Sequence, residues 1–105
     1  MYTQVMKTKN QLMPLEQMEE AAQCLRTLAH PHRLRMVEML LDEEYTVGEL
    51  AEACGIQSHM ASEHLGKMRD RGLLLAERRG QCIYYRSAHP GLASILACIR
   101  GKFGG

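Results

Sequence analysis

The 105-residue chain has no tryptophan, one phenylalanine and four tyrosines. A core built on large rings is therefore excluded, and the interior must be filled by Leu, Ile, Val and the eight methionines. No stretch of 18 apolar residues occurs, which excludes a helix spanning a membrane. The opening residues 1–11 have no apolar core of the secretory kind, so no export signal is expected. The four cysteines, at 24, 54, 82 and 98, are widely spaced, and no Cys-x-x-Cys occurs. In a chain expected to be cytoplasmic, such thiols should stay reduced, and a disulfide framework is not expected. Internal repeats, low-complexity linkers and a cofactor-cradling loop are missing as well. Cysteines and histidines are present but dispersed, with no third group placed to orient them, so an enzyme is not expected.

What is there fits a folded domain. Apolar residues make up 46% and charged residues 24%, proportions that argue against wholesale disorder. The length allows one core, burying about 65% of the unfolded surface. Residues 1–14 read as a flexible polar arm and 15–105 as the domain. The net charge of +1 conceals an asymmetry. Residues 16–52 carry nine acids against three arginines, whereas 57–86 carry six bases against three acids. A basic second half suits a polyanion partner, unless these charges merely decorate solvated faces.

Apolar spacing predicts a first helix over about Leu15–Ala29, with Leu15, Met18, Ala22, Leu25 and Ala29 on one stripe and Glu16, Glu19 and Glu20 near its positive end. His30-Pro31 should end it, because the residue before proline resists the helical conformation, and Pro31 then suits the first position of the next helix. Leu34, Val37 and Leu41, widened by Met36 and Leu40, imply that this second helix is central and buried. Thr46-Val47-Gly48-Glu49 fits a capping box opening a short third helix, which Gly55 is placed to stop. A fourth helix starts near Gln57-Ser58, turns Ala61, Leu65 and Met68 inward and ends at Gly72. The period then changes. The segments 73–79 and 81–86 flank Gly80 and read as a β-hairpin. Tyr84 and Tyr85 should alternate, one into the core. Pro90 opens a last helix with Leu92, Ile95, Leu96, Ile99 and Phe103 on one face. The order is α-α-α-α-β-β-α.

A short capped helix, a glycine-containing turn, a second helix and then a hairpin form a winged helix-turn-helix. The second helix must enter a major groove, so one of its faces must be small and polar. Ser58, His59, Ser62 and Glu63 provide that face, flanked by His64 and Lys67, with Gln57 at its start. Ser hydroxyls can bond base edges or phosphates. The hairpin tip Arg78-Arg79-Gly80-Gln81 offers cations to a phosphate backbone. Double-stranded DNA is the expected partner. The competing reading is a winged helix that binds protein, which Glu63 and the low net charge favour slightly.

These residues also carry a resemblance. The run from Leu25 to Arg35, Leu-Arg-Thr-Leu-Ala-His-Pro-His-Arg-Leu-Arg, resembles the opening of the ArsR/SmtB-type winged-helix repressors. Thr46 to Ala51 resembles their third helix. Ser62-Glu63-His64-Leu65, Arg71-Gly72-Leu73-Leu74, Arg79-Gly80 and Tyr84-Tyr85-Arg86 are similar to their recognition helix and wing. The match covers residues 15–103. It implies a homodimer that binds a palindromic operator and leaves it when an inducer binds. It further implies that the first and last helices form the dimer interface, here Leu15, Met18, Leu92, Ile95, Leu96, Ile99 and Phe103. Gln57 stands where the family has a Ser cap, and Glu63 where Gln, Lys or Arg is common.

Two familiar sensor patterns of that family are missing. Thr46-Val47-Gly48 replaces the third-helix Cys-x-Cys, and no His follows His89 in the last helix. At 100° per residue, Cys24 falls roughly 140° from the first helix's apolar stripe, and Cys98 roughly 120° from that of the last. Both lie on the helices implied to form the seam. A thiol pair there could bind a soft metal or metalloid ion, or react with a thiol-specific species, and tilt the reading heads. Alternatively each is a small buried hydrophobe, as free cysteine usually is. Cys54 reads as a packing residue and Cys82 as structural or incidental, and His30, His32, His59, His64 and His89 as capping, packing or DNA-contact groups rather than metal ligands.

Overall fold

The computed structural model describes residues 11–104. Residues 1–10 of the proposed arm, and Gly105, lie outside the described residues. The elements are α1 (Leu15–Leu28), α2 (Pro31–Leu40), β1 (Tyr45–Thr46), α3 (Val47–Cys54), α4 (Ser58–Asp70), β2 (Leu74–Arg79), β3 (Cys82–Ser87) and α5 (Gly91–Phe103).

The punctuation of the chain follows local chemistry. His30 is extended, and its Nδ1 accepts a hydrogen bond from the His32 backbone N–H at 3.1 Å, capping α2 with Pro31 in the first turn. Thr46 and Glu49 form the capping box: the Thr46 hydroxyl accepts from the Glu49 N–H at 3.2 Å, and the Thr46 N–H donates to the Glu49 carboxylate at 2.8 Å. Gly55 closes α3 at φ +68, where a side chain would clash with the backbone. The hairpin pairs Arg79 with Cys82 around Gly80, at φ +64.

Met36, Val37 and Leu40 of α2 are buried, as its wide apolar arc predicts. Around them pack Leu50 and Ala51 of α3, Ala61, Leu65 and Met68 of α4, Leu74 of β2, Tyr85 of β3, and Leu92 and Leu96 of α5. Tyr85 is the inward tyrosine, and Tyr84 stays half-buried on the other face.

Two expectations need correction, on the sheet and on α5. The sheet has three strands in the order β1-β3-β2, because Tyr45 and Thr46 pair antiparallel with Tyr85 and Tyr84. Leu92 and Leu96 are 2% and 7% exposed within this one chain. Set four residues apart, they are the stripe that docks α5 onto the core, so they do not form the dimer-facing surface. In α1 the stripe of Leu15, Met18 and Leu25 is 74%, 48% and 54% exposed, while Leu28 is buried and Cys24 packs at the core's margin. α1 touches the body of the domain through its opposite face, chiefly against α4.

Candidate nucleic-acid interface

α4 has two sharply different faces. Ala61, Leu65 and Met68 have no exposed surface, and their burial fixes the rotation of the helix about its axis. That rotation leaves Ser58, His59, Ser62, Glu63 and Lys67 outside the core, on the solvent side or at its edge, with Gln57 exposed at the start. Gln57 makes no side-chain cap bond, so its amide is left available. The helix is held at both ends, by the turn through Gly55 and by Gly72 at φ +77. A rigid helix presenting short polar side chains is what reading base edges requires.

His64 stands apart from that face. Its Nδ1 accepts a hydrogen bond from Arg33 Nε at 2.9 Å, and Arg33 also donates through one NH group to the Thr27 carbonyl at 2.9 Å. The His64 ring lies 4.5 Å from that of His30 and 6.1 Å from that of His32, centre to centre. Arg33 therefore ties α2 to α4 through the His64 imidazole and to α1 through the Thr27 carbonyl. Burial, then the neighbouring Arg33, His30 and His32, hold the His64 pKa below its ordinary 6.5, against the opposing pull of Glu63. The unfolded chain thus takes up a proton at this residue before the folded one does. Stability is fully present above pH 6.5 and falls as pH drops through that value toward the lowered pKa. The unfolding midpoint should decline over this window, and His64→Gln should flatten the decline. Equal slopes in both proteins would remove His64 as the cause.

The hairpin tip divides its two arginines between different tasks. Arg79 is gripped by Glu44, with both nitrogen–oxygen distances at 2.9 Å, and by Glu77 at 2.7 Å, and it stacks 4.7 Å over the Tyr84 ring. The bond from Arg79 lowers the Glu44 pKa, and the two carboxylates raise that of Arg79. Its charge is thereby neutralised locally, and it fixes the wing to the loop before β1. Arg78 has only a long contact to the Gly80 carbonyl at 3.4 Å, so it and the exposed Gln81 are the tip groups free to meet a partner.

Apolar side chains are also exposed on α1, just before it, and at the end of α5. Leu15, Met18 and Phe103 are exposed, Phe103 by 77%, together with Leu12, Met13 and Leu25. Ile95 and Ile99 are half-buried beside them in sequence on α5. Cys98 is exposed, Cys24 half-buried, and all four thiols are free. Cys54 donates a long contact to the His32 carbonyl at 3.8 Å, and burial raises its pKa, which suits a packing role. Among the described residues no group of three or more His, Cys, Asp or Glu side chains is arranged to hold a metal ion. Nor is any helix among them long and apolar enough to cross a membrane.

A helix-turn-helix domain family matches residues 28–77, from the buried end of α1 to the wing. The biofilm growth-associated repressor of Xylella fastidiosa is 36% identical over 80 residues, spanning 76% of this chain and 70% of that one. The chain belongs to the ArsR/SmtB-type winged helix-turn-helix regulators. The crystal structure of NolR from Sinorhizobium fredii superposes on this member of the family with a TM-score of 0.79, at 32% identity, covering 98% of this chain and 99% of that one. A homodimeric winged helix-turn-helix DNA-binding domain of Mycobacterium bovis, a possible ArsR-family regulator, matches with a TM-score of 0.74 at 25% identity, covering 94% and 89%. The likeness runs through α5, whose end carries the exposed Phe103.

Two residues of this regulator's interface escape sequence reasoning. Arg33 lies in the His-Pro-His-Arg-Leu run, a signal that was there to be used. Glu44 is one acid in an acidic stretch, and nothing in the sequence singles it out as the anchor of Arg79.

Proposed function

We propose that this chain is a transcriptional repressor that binds a palindromic operator as a homodimer and leaves it when an inducer acts. The exposed polar face of α4, with a hairpin tip beside it in the chain, carries this reading. Gln57, Ser58, His59, Ser62 and Glu63 meet base edges, with Glu63 suited to accept from a cytosine amino group. Lys67, Arg78 and Gln81 meet the backbone, which positions without specifying. Arg79 and His64 hold the wing and the recognition helix in place. Two reading heads paired through the exposed stripe of α1 and the end of α5 would sit about 34–36 Å apart, one turn of the duplex. The repressor and homodimer named among this chain's relatives support that arrangement. A footprint on the DNA upstream of its own gene should show two protected half-sites centred about 10–10.5 base pairs apart. Protection of a single half-site would remove the dimeric mode.

Release by a soft metal or metalloid ion, or by a thiol-reactive species, belongs to the same proposal. Cys98 is exposed and Cys24 part-exposed, each on a helix that carries exposed apolar side chains. Thiolates there would bind soft ions, or oxidise, and change the angle between reading heads. Replacing both with Ser should leave operator binding intact and abolish release by cadmium, arsenite or a persulfide donor. Unchanged release would discard these two thiols as the sensor.

A further inference from the structure

Most arginines of this chain outside one cluster sit on carboxylates. Arg35 and Arg100 pair with Glu38, Arg69 with Asp70, and Arg79 with Glu44 and Glu77. Arg26, Arg33 and Arg71 do not. They come from the last turn of α1, the first turn of α2 and the C-cap of α4, yet border one open surface hollow of about 310 Å³ together with Gln23 and Thr27. Among the described residues none of the three guanidinium groups meets a carboxylate, and Arg26 and Arg71 make no side-chain hydrogen bond at all. Arg33 is already oriented by its bonds to His64 and the Thr27 carbonyl. Thr27 and Arg71 continue into a neighbouring hollow with Lys67 and Asp70, whose carboxylate is taken by Arg69 at 3.4 Å.

Three like charges on one polar wall repel each other, and of the three only Arg33 makes bonds that hold the domain together. The arrangement makes physical sense with an anion between them. Guanidinium groups present flat forks of N–H donors that match the oxygens of a phosphate, and three forks from separate elements suit a multiply charged oxyanion. A carboxylate offers only two oxygens and one charge, a poorer match.

The geometry points to a phosphate-type oxyanion site in this hollow, with Arg26, Arg33 and Arg71 as its ligands. The anion is either a backbone phosphate of bound DNA at the flank of the half-site, or a small free oxyanion. In both cases it meets, through Arg33, the same group that holds His64 of the recognition helix.

The double variant Arg26→Gln/Arg71→Gln tests this while leaving Arg33 and its bond to His64 in place. The arginine side-chain N–H signals are followed by NMR during titration with inorganic phosphate, at ionic strength held constant with chloride. Duplex affinity is measured in parallel from low to moderate salt. A free oxyanion predicts saturable shifts in the wild type, weakened at least about tenfold in the double variant, with duplex affinity unchanged. A DNA phosphate predicts weaker binding of operator and unrelated duplex alike, and a salt slope shallower by about 1 for each phosphate that is no longer neutralised. Absence of saturable phosphate shifts, together with unaltered duplex affinity and slope, overturns the site. The DNA arm rests on the proposed repressor function. If the wild type binds no duplex, that function fails, and the phosphate titration alone decides the site.

Discussion

If the proposed homodimer forms, Leu15→Glu combined with Phe103→Glu is expected to leave a monomer and to weaken operator binding by about 10²- to 10⁴-fold. Both side chains are largely exposed in the single chain, at 74% and 77%. They give little to the stability of the monomer, so the fold should survive their replacement. In the proposed dimer the same side chains would form the apolar centre of the seam, where a carboxylate without a partner is costly. Losing the seam separates the two reading heads, and each half-site must then be held by one recognition helix. The loss is one of effective concentration and needs no change at the DNA surface. Sedimentation should show the halved mass, and fluorescence anisotropy the lost affinity, while the circular dichroism and melting midpoint of the monomer persist. A variant that stays dimeric with full affinity would place the seam elsewhere.

The second large effect concerns the two faces of α4. Leu65 has no exposed surface and sits between Ala61 and Met68 in the core. Leu65→Ala removes three buried carbon atoms and leaves a cavity that α2 and β2 can only partly fill. It should cost about 2–5 kcal/mol of stability, a large fraction of the margin of so small a domain. Ser62, three residues earlier, is exposed. Ser62→Ala should leave denaturant unfolding within about 0.5 kcal/mol of wild type, yet reduce discrimination between operator and altered sites by about 1–3 kcal/mol if the hydroxyl touches a base. Urea unfolding and competition binding separate the two effects. If Ser62→Ala destabilises the fold and leaves specificity intact, the assignment of faces is wrong.

Much of this fold could be read from the chain because its signals are local. Pro31, Thr46 with Glu49, Gly55, Gly72 and Gly80 act within a turn of themselves, and each does what its chemistry demands. Burial of α2 and α4 followed from periodicity over three or more turns. Two features were not legible for a common reason. β1 is only two residues long and shows no period, because its pairing is decided by Tyr84 and Tyr85 some forty positions away. What covers the α1 stripe was likewise not legible, because periodicity reports an apolar face and not its partner. The same limit led to Leu92 and Leu96, which share a face with Ile95 and Ile99 in projection but complete the monomer's own core.

The interface was legible in outline and altered in detail. The exposed positions of α4 follow from where its apolar residues fall. His64 and Arg79 also carry polar groups in the right segments, but Arg33 and Glu44 engage them from distant parts of the chain. Charge followed a similar course. The basic stretch 57–86 does contain the reading helix and the wing, yet part of its excess is cancelled by acids of the first half, Glu44 above all. The cations without a carboxylate include Arg26 and Arg33, which belong to the stretch counted as acidic.

We propose that an exposed polar helix face and a basic hairpin bind duplex DNA through its phosphates and bases. Operator affinity measured against salt concentration tests it most directly. Strong binding at low salt is expected, with a linear fall of log affinity with log salt at a slope of about −0.9 for each phosphate neutralised. A residual preference for the palindromic site is expected at every salt concentration. Binding to the palindromic fragment that is absent at low salt, or that does not respond to salt, would contradict it.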